Sequence, residues 1–226
     1  MPEHQERIIH EPLRPRLSIV MLHGLGMHPE VLEPFALSLN LHAVLSVPRG
    51  PVTMPDGAPA WWGVDTALRE SRRANGPEDL FDRHPAGRAG ARKALDEVVD
   101  RVLGRWPQLP LMLVGYSQGG MLAMDYLLMD GARKVSACAL LSTSRIAFDE
   151  WQLRLSRLAG LNVLVAHGRH DDRLAFTAGE KVRDCMTAGG AQVEWMPFDG
   201  GHELPLAVWR RLRKFVLGMT NPTIAA

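Results

Sequence analysis

The chain has 226 residues, 46% of them hydrophobic and 23% charged, with a formal net charge of +1. That length is enough to bury a sizeable core, the composition is that of a soluble globular protein, and the near-neutral charge gives no drive toward nucleic acid or an anionic membrane. The N-terminal stretch MPEHQERIIHEPLRPRLS lacks a long apolar run and a small-residue cleavage site, and no segment reaches the roughly 18 apolar residues of a spanning helix. A cytoplasmic protein without membrane insertion is therefore expected.

Short apolar runs alternate with longer amphipathic ones, which predicts an α/β fold with a mostly parallel sheet covered by helices on both faces. A weak edge strand falls at 7–12. Strands follow at 17–23 and 42–47, separated by a helix over 28–40 that Pro34 bends or shortens. The stretch 87–106 is a strongly amphipathic helix, with Leu95, Val98, Val99, Val102 and Leu103 on one stripe. Then come a strand at 111–116, an almost wholly apolar helix at 117–129, and strands at 135–142 and 161–167. A helix at 178–190 ends in paired glycines, a stop signal. A strand at 192–198 and an amphipathic helix at 204–218 complete the pattern. No repeat or linker interrupts it, so one domain over 1–226 is expected. Cys138 and Cys185 lack metal-ligand spacing, and Cys138, within SACALLS, reads as a buried, inert thiol on a core strand.

One segment breaks the alternation. Residues 49–88 are rich in Gly, Pro, Asp and Arg, with Trp61, Trp62 and Phe81 embedded. Loops this long in compact domains are usually lids or binding loops. The aromatics read as walls of a substrate pocket, with a plug at the edge of the core as the plainer alternative. Arg69, Arg72, Arg73, Arg83 and Arg88 form either a solvated face or a patch for an anionic partner.

The chemistry gathers at strand ends. GYSQG (115–119) matches Gly-x-Ser-x-Gly, in which a sharp strand-to-helix turn exposes a serine hydroxyl. A strand precedes Ser117 and a helix follows it, while Gly115, Gly119 and Gly120 let the turn tighten. A serine needs a base to take its proton, and the base needs a third group to orient it. Asp171 and Asp172 lie just past the 161–167 strand, 54 and 55 positions after the serine, and His202 follows the 192–198 strand. Ser…Asp…His is the chain order of α/β-hydrolases. The N–H of Gln118 and that of Leu25, in MLHGLGMHP, suit an oxyanion hole. His23 and His167, each before a glycine at a strand end, read as structural. No second ligand cluster accompanies His167, His170 and the two aspartates, so no metal is expected. Neither a dinucleotide fingerprint nor a phosphate loop occurs, and no cofactor is expected.

Together LHGLG, GYSQGG, HGRHDDRL and GGHEL, with SVPRGPVTMPDGAPAWW, resemble the phospholipase/carboxylesterase family of α/β-hydrolases, which includes acyl-protein thioesterases and small bacterial carboxylesterases. The likeness covers about residues 17–216 and implies an α/β-hydrolase fold with little or no separate cap domain. It implies Ser117 as nucleophile, His202 as base and Asp171 as acid, since the family reads His-Gly-x-x-Asp. The amides of Leu25 and Gln118 would form the oxyanion hole. The expected activity is hydrolysis of carboxylic esters, or thioesters, with short-to-medium acyl chains contacted by Trp61 and Trp62. The alternatives are a long-chain acyl-protein thioesterase or lysophospholipase, and a non-catalytic binding protein on the same scaffold. The expected partner is a small-molecule ester, not nucleic acid; a homodimer is left open.

Overall fold

Parallel strands need long crossovers, and the amphipathic stretches supply them. The computed structural model describes residues 7–220 apart from 66, 68, 69, 72, 73, 132 and 133. Of the arginines singled out above, Arg69, Arg72 and Arg73 lie outside the described residues. The strands are β1 (Ile8–His10), β2 (Leu17–Leu22), β3 (Ala43–Ser46), β4 (Val52–Thr53), β5 (Pro59–Ala60), β6 (Leu111–Tyr116), β7 (Ala137–Leu141), β8 (Asn162–Gly168) and β9 (Gln192–Phe198). Seven of them form one sheet in the order β1-β3-β2-β6-β7-β8-β9, and β4 pairs with β5 in a small separate hairpin. Every pairing in the large sheet is parallel except that of β1 with β3. The helices are α1 (Glu33–Ser38), α2 (Arg88–Arg105), α3 (Gln118–Tyr126), α4 (Phe148–Trp151), α5 (Phe176–Ala188) and α6 (Leu206–Thr220).

Side chains alternate along each strand, so the sheet feeds two cores. Val20, Leu22, Leu111 and Leu113 point into one, with Leu95 and Val98 of α2 and Leu122 of α3. Ile19, Met21, Met112 and Val114 point into the other, with Ala36 of α1 and Val208 and Leu212 of α6. Each of the buried Val, Leu, Ile and Met side chains contributes about 1.5–3 kcal/mol by leaving water. Burial on both faces is what fixes the strand ends, and the functional side chains, in one row.

The structure departs from the expected elements in four places. Pro34 lies in the first turn of α1, where a missing N–H costs nothing, and the chain before it forms a 3-10 turn at Pro29–Val31. The helix after Ser117 ends at Tyr126 and runs on as a π-turn, Leu127–Gly131. The stretch 148–158, unassigned from sequence, forms α4 and a 3-10 helix, Gln152–Leu158. Within 49–88, Trp61 and Trp62 are 1% and 3% exposed and belong to the core, whereas Phe81 is exposed. Among the described residues, no helix is long and apolar enough to cross a membrane.

Candidate active site

Ser117 follows β6 directly and holds φ 53°, ψ −116°, a conformation L-residues rarely adopt. Such strain costs about 1–3 kcal/mol and persists only where surrounding bonds enforce it. Here the Ser117 N–H donates to the Leu141 carbonyl at 2.9 Å, and Thr143 Oγ1 donates to the Ser117 carbonyl at 2.8 Å. The first turn of α3 also presses on β2: a Cβ on Gly119 would lie 2.2 Å from the Leu22 carbonyl oxygen. Only glycine fits there.

His202 links two partners. Its Nε2 lies 2.9 Å from Ser117 Oγ and its Nδ1 2.7 Å from Asp171 Oδ2. Tyr116 steadies the loop by donating its hydroxyl to the His202 carbonyl at 2.8 Å. Burial pushes that phenol well above its ordinary pKa, so it stays a donor. Asp171 is buried, and its Oδ1 accepts the N–H groups of Arg173 and Leu174, each at 2.9 Å. Fully buried His167 places Nε2 3.3 Å from Asp171 Oδ2 and 3.1 Å from the Leu174 carbonyl. Burial alone would raise the Asp171 carboxyl. Hydrogen bonds from His167 and His202 outweigh it and hold the group well below the usual carboxylate range. Asp172, one residue on, is exposed, and it is Asp171 that meets His202.

A cavity of about 380 Å³ is lined by Ser117 and His202, by Leu25 and Gln118, and by apolar walls that include Trp62 and Met121. No intramolecular hydrogen bond among the described residues uses the N–H of Leu25 or Gln118. Trp61 does not line the cavity. Its indole stacks on His23, with ring centroids 5.0 Å apart, and donates Nε1–H to the His23 carbonyl at 2.9 Å. Arg83 lines the cavity beside Glu78. Arg88 is no solvated face, because it pairs with Glu150 and with fully buried Asp125. Among the described residues, no group of three or more His, Cys, Asp and Glu side chains could hold a metal ion.

A serine, an imidazole and a carboxylate in series, beside two amides at a cavity wall, is the arrangement acyl transfer requires. The sequence matches the phospholipase/carboxylesterase family over residues 3–217. The chain belongs to the phospholipase/carboxylesterase family. It is accordingly an α/β-hydrolase and an ester hydrolase. Among solved structures it is similar to acyl-protein thioesterase 2 of Zea mays, at 20% identity over 96% of this chain and 99% of that one, with a TM-score of 0.78. It is similar to SOBER1 of Arabidopsis thaliana at 21% identity, over 89% and 97% of the two chains, with a TM-score of 0.72. It is also similar to a carboxylesterase of Mesorhizobium loti at 20% identity, over 90% and 89%, with a TM-score of 0.70. At such identities the likeness is one of fold. No curated protein sequence matches significantly.

Sequence reasoning missed the parts that Tyr116 and the Gln118 carboxamide play in this family member's site, and it read His167 as structural without its contact to Asp171. Tyr116 reaches the His202 carbonyl 86 positions away, whereas His167 meets Asp171 and the Leu174 carbonyl four and seven positions on, in the loop that follows β8. Gln118 was read for its backbone alone, while its carboxamide bonds to the backbone of residues 61 and 62.

Proposed function

We propose that the protein hydrolyses carboxylic esters of short-to-medium acyl chain length through an acyl-enzyme on Ser117. The observation that carries this reading is His202 bridging Ser117 Oγ and Asp171 Oδ2 beside the cavity. In the proposed sequence Ser117 Oγ attacks the ester carbonyl carbon while His202 Nε2 takes the hydroxyl proton. Asp171 keeps Nδ1–H of His202 aimed and offsets the charge of the imidazolium. The N–H groups of Leu25 and Gln118 receive the developing oxyanion. His202 then gives the proton to the departing alcohol as the C–O bond breaks, and water repeats the exchange to release the acid. No cofactor is needed. A reducing, cytoplasmic setting suits two free, buried thiols.

The cavity supports the chain-length range: its volume lies near the lower end of pockets that hold small molecules, about 300–1,000 Å³. Each acyl methylene adds about 0.8 kcal/mol of burial until the pocket is full.

Ser117→Ala tests the chemistry directly. Turnover of p-nitrophenyl butyrate is expected to fall by at least about a thousandfold with the fold retained. Retention of more than about a tenth would remove the serine from the mechanism. Asp171→Asn is expected to depress turnover strongly and Asp172→Asn to leave it near wild type; the reverse order would exchange their roles. Across p-nitrophenyl esters, kcat/KM is expected to peak between about four and eight acyl carbons. A profile still rising at about sixteen carbons would instead indicate a long-chain thioesterase or lysophospholipase.

A further inference from the structure

The two amides assigned to the oxyanion hole belong to loops far apart in sequence, and neither loop alone can set their separation. One segment touches both. The Pro59 carbonyl accepts the Gly26 N–H at 2.9 Å, and the Trp61 indole donates to the His23 carbonyl at 2.9 Å. Residues 59–61 thus hold the Leu25 loop on either side of Leu25. The same segment grips the start of α3. The Trp61 N–H donates to Gln118 Oε1 at 2.9 Å, and Gln118 Nε2 donates to the Trp62 carbonyl at 3.0 Å. Both ends of the carboxamide are therefore committed to the backbone of one dipeptide.

The grip is rigid as well as continuous. Gln118 is 4% exposed and Trp61 1% exposed, so each of these bonds would be costly to leave unmade. The indole is held against the His23 ring, which is in turn fixed by the Gly50 N–H donating to His23 Nε2 at 2.9 Å. A Cβ on Gly50 would lie 2.4 Å from the Ala60 carbonyl oxygen, so the strand-end loop and the segment are in backbone contact.

We infer that Pro59–Trp62 is a strap that sets the distance between the Leu25 and Gln118 amides, and that the Gln118 carboxamide and the Trp61 indole are positioning residues for turnover. The inference rests on the serine-hydrolase reading above. Oxyanion donors act only when they lie about 2.7–3.1 Å from the oxygen as charge develops on it. A donor displaced by about 1 Å can cost on the order of a hundredfold in rate. The ground-state carbonyl gains little from them, so loosening the strap lowers kcat and spares KM.

Gln118→Met keeps the length of the side chain and removes both bonds. Trp61→Phe keeps an aromatic ring beside His23 and removes the indole N–H together with part of the ring volume. For Gln118→Met, kcat per folded enzyme on p-nitrophenyl butyrate is expected to fall about 10- to 100-fold, with KM within about twofold. The affinity of an alkylboronic acid, which forms a tetrahedral adduct on the serine, should weaken by a similar factor. For Trp61→Phe the same two quantities should drop together by roughly 3- to 10-fold, and in neither variant should the shape of the pH–rate profile change. A purely structural role would lower the melting temperature and leave kcat and boronate affinity, normalised to folded protein, at wild-type values. That result in both variants overturns the strap. If Gln118→Met does not fold, Trp61→Phe decides alone. An active Ser117→Ala protein would overturn the serine-hydrolase reading instead, so the two failures are distinguishable.

Discussion

Residues 59–62 and 78–85 come from the same Gly-, Pro- and charge-rich stretch and both contribute to one cavity, yet they are held in different ways. The first is buried and joined to His23, Gly26 and Gln118 by neutral hydrogen bonds. The second meets the 144–150 region through Ser144 Oγ, which accepts the Leu80 N–H at 2.9 Å, and through Asp79 with Arg145 at 2.7 Å, a largely buried pair, but its outer edge rests on exposed contacts, His84 beside Asp149 at 2.8 Å among them. Arg83 reaches Glu78 at 3.8 Å with 41% of its side chain exposed. Exposed pairs contribute about 0–1 kcal/mol and weaken in salt, whereas breaking a buried neutral bond costs about 1–3 kcal/mol. The cavity therefore has a stiff wall at residues 59–62 and a more compliant one at the exposed edge formed by Arg83 and His84. Rate should depend on the first and selectivity on the second.

Trp62→Ala attacks the stiff wall most severely. Truncating a buried Trp costs about 3–5 kcal/mol, so the melting temperature should drop by roughly 10 °C and the chain-length peak should shift or flatten. An unchanged acyl profile in a destabilised variant would make Trp62 a core residue only.

Acid should loosen the same wall. Burial pushes His23 down to about 4, with Arg49 and His28 adding to the shift and the Gly24 hydrogen bond and Glu30 opposing it. The neutral ring is required because Nε2 accepts from Gly50 while Nδ1–H donates to the Gly24 carbonyl at 2.8 Å. An unfolded histidine takes up its proton near 6.5 and the folded one only near 4. Stability from this residue is thus fully present above about pH 6.5 and is lost as pH falls toward 4, by on the order of 3 kcal/mol. Melting temperatures measured across that window should slope in wild type and flatten in His23→Gln. Equal slopes would place the acid sensitivity elsewhere.

The compliant wall should respond least. Arg83→Ala is expected to leave the melting temperature within about 1–2 °C and to change KM by no more than about threefold. About 0.5 M salt should move wild-type KM in the same direction and leave that of the variant alone. A loss of stability beyond about 2 kcal/mol would show the outer wall to be as firmly held as the inner one.

Much of this arrangement was legible in the sequence because it is periodic. Strand runs such as Leu111–Tyr116 are apolar without interruption, and Ser117, Asp171 and His202 each follow one. What was illegible depends on partners distant along the chain. Trp61 lies in a segment whose composition says surface loop, and only pairing with His23 and Gln118 takes it inside. Gln118 belongs to a motif whose reading uses its amide, which hid the carboxamide. The choice between Asp171 and Asp172 needed a family resemblance, since two adjacent carboxylates are equivalent until the backbone turns one toward His202. Residues 148–158 went unassigned because their short 3-10 and α-helical turns carry no sustained period.

Ser117 at φ 53° has an evolutionary corollary. Glycine adopts that backbone without penalty, so Ser117→Gly, though devoid of a nucleophile, should be more stable than Ser117→Ala by about 1 kcal/mol, the relief of strain exceeding the extra chain entropy. Selection for thermal robustness alone would drift toward that silent variant. A population that retains serine at this position is one in which activity, generation after generation, has overruled the fold's own preference.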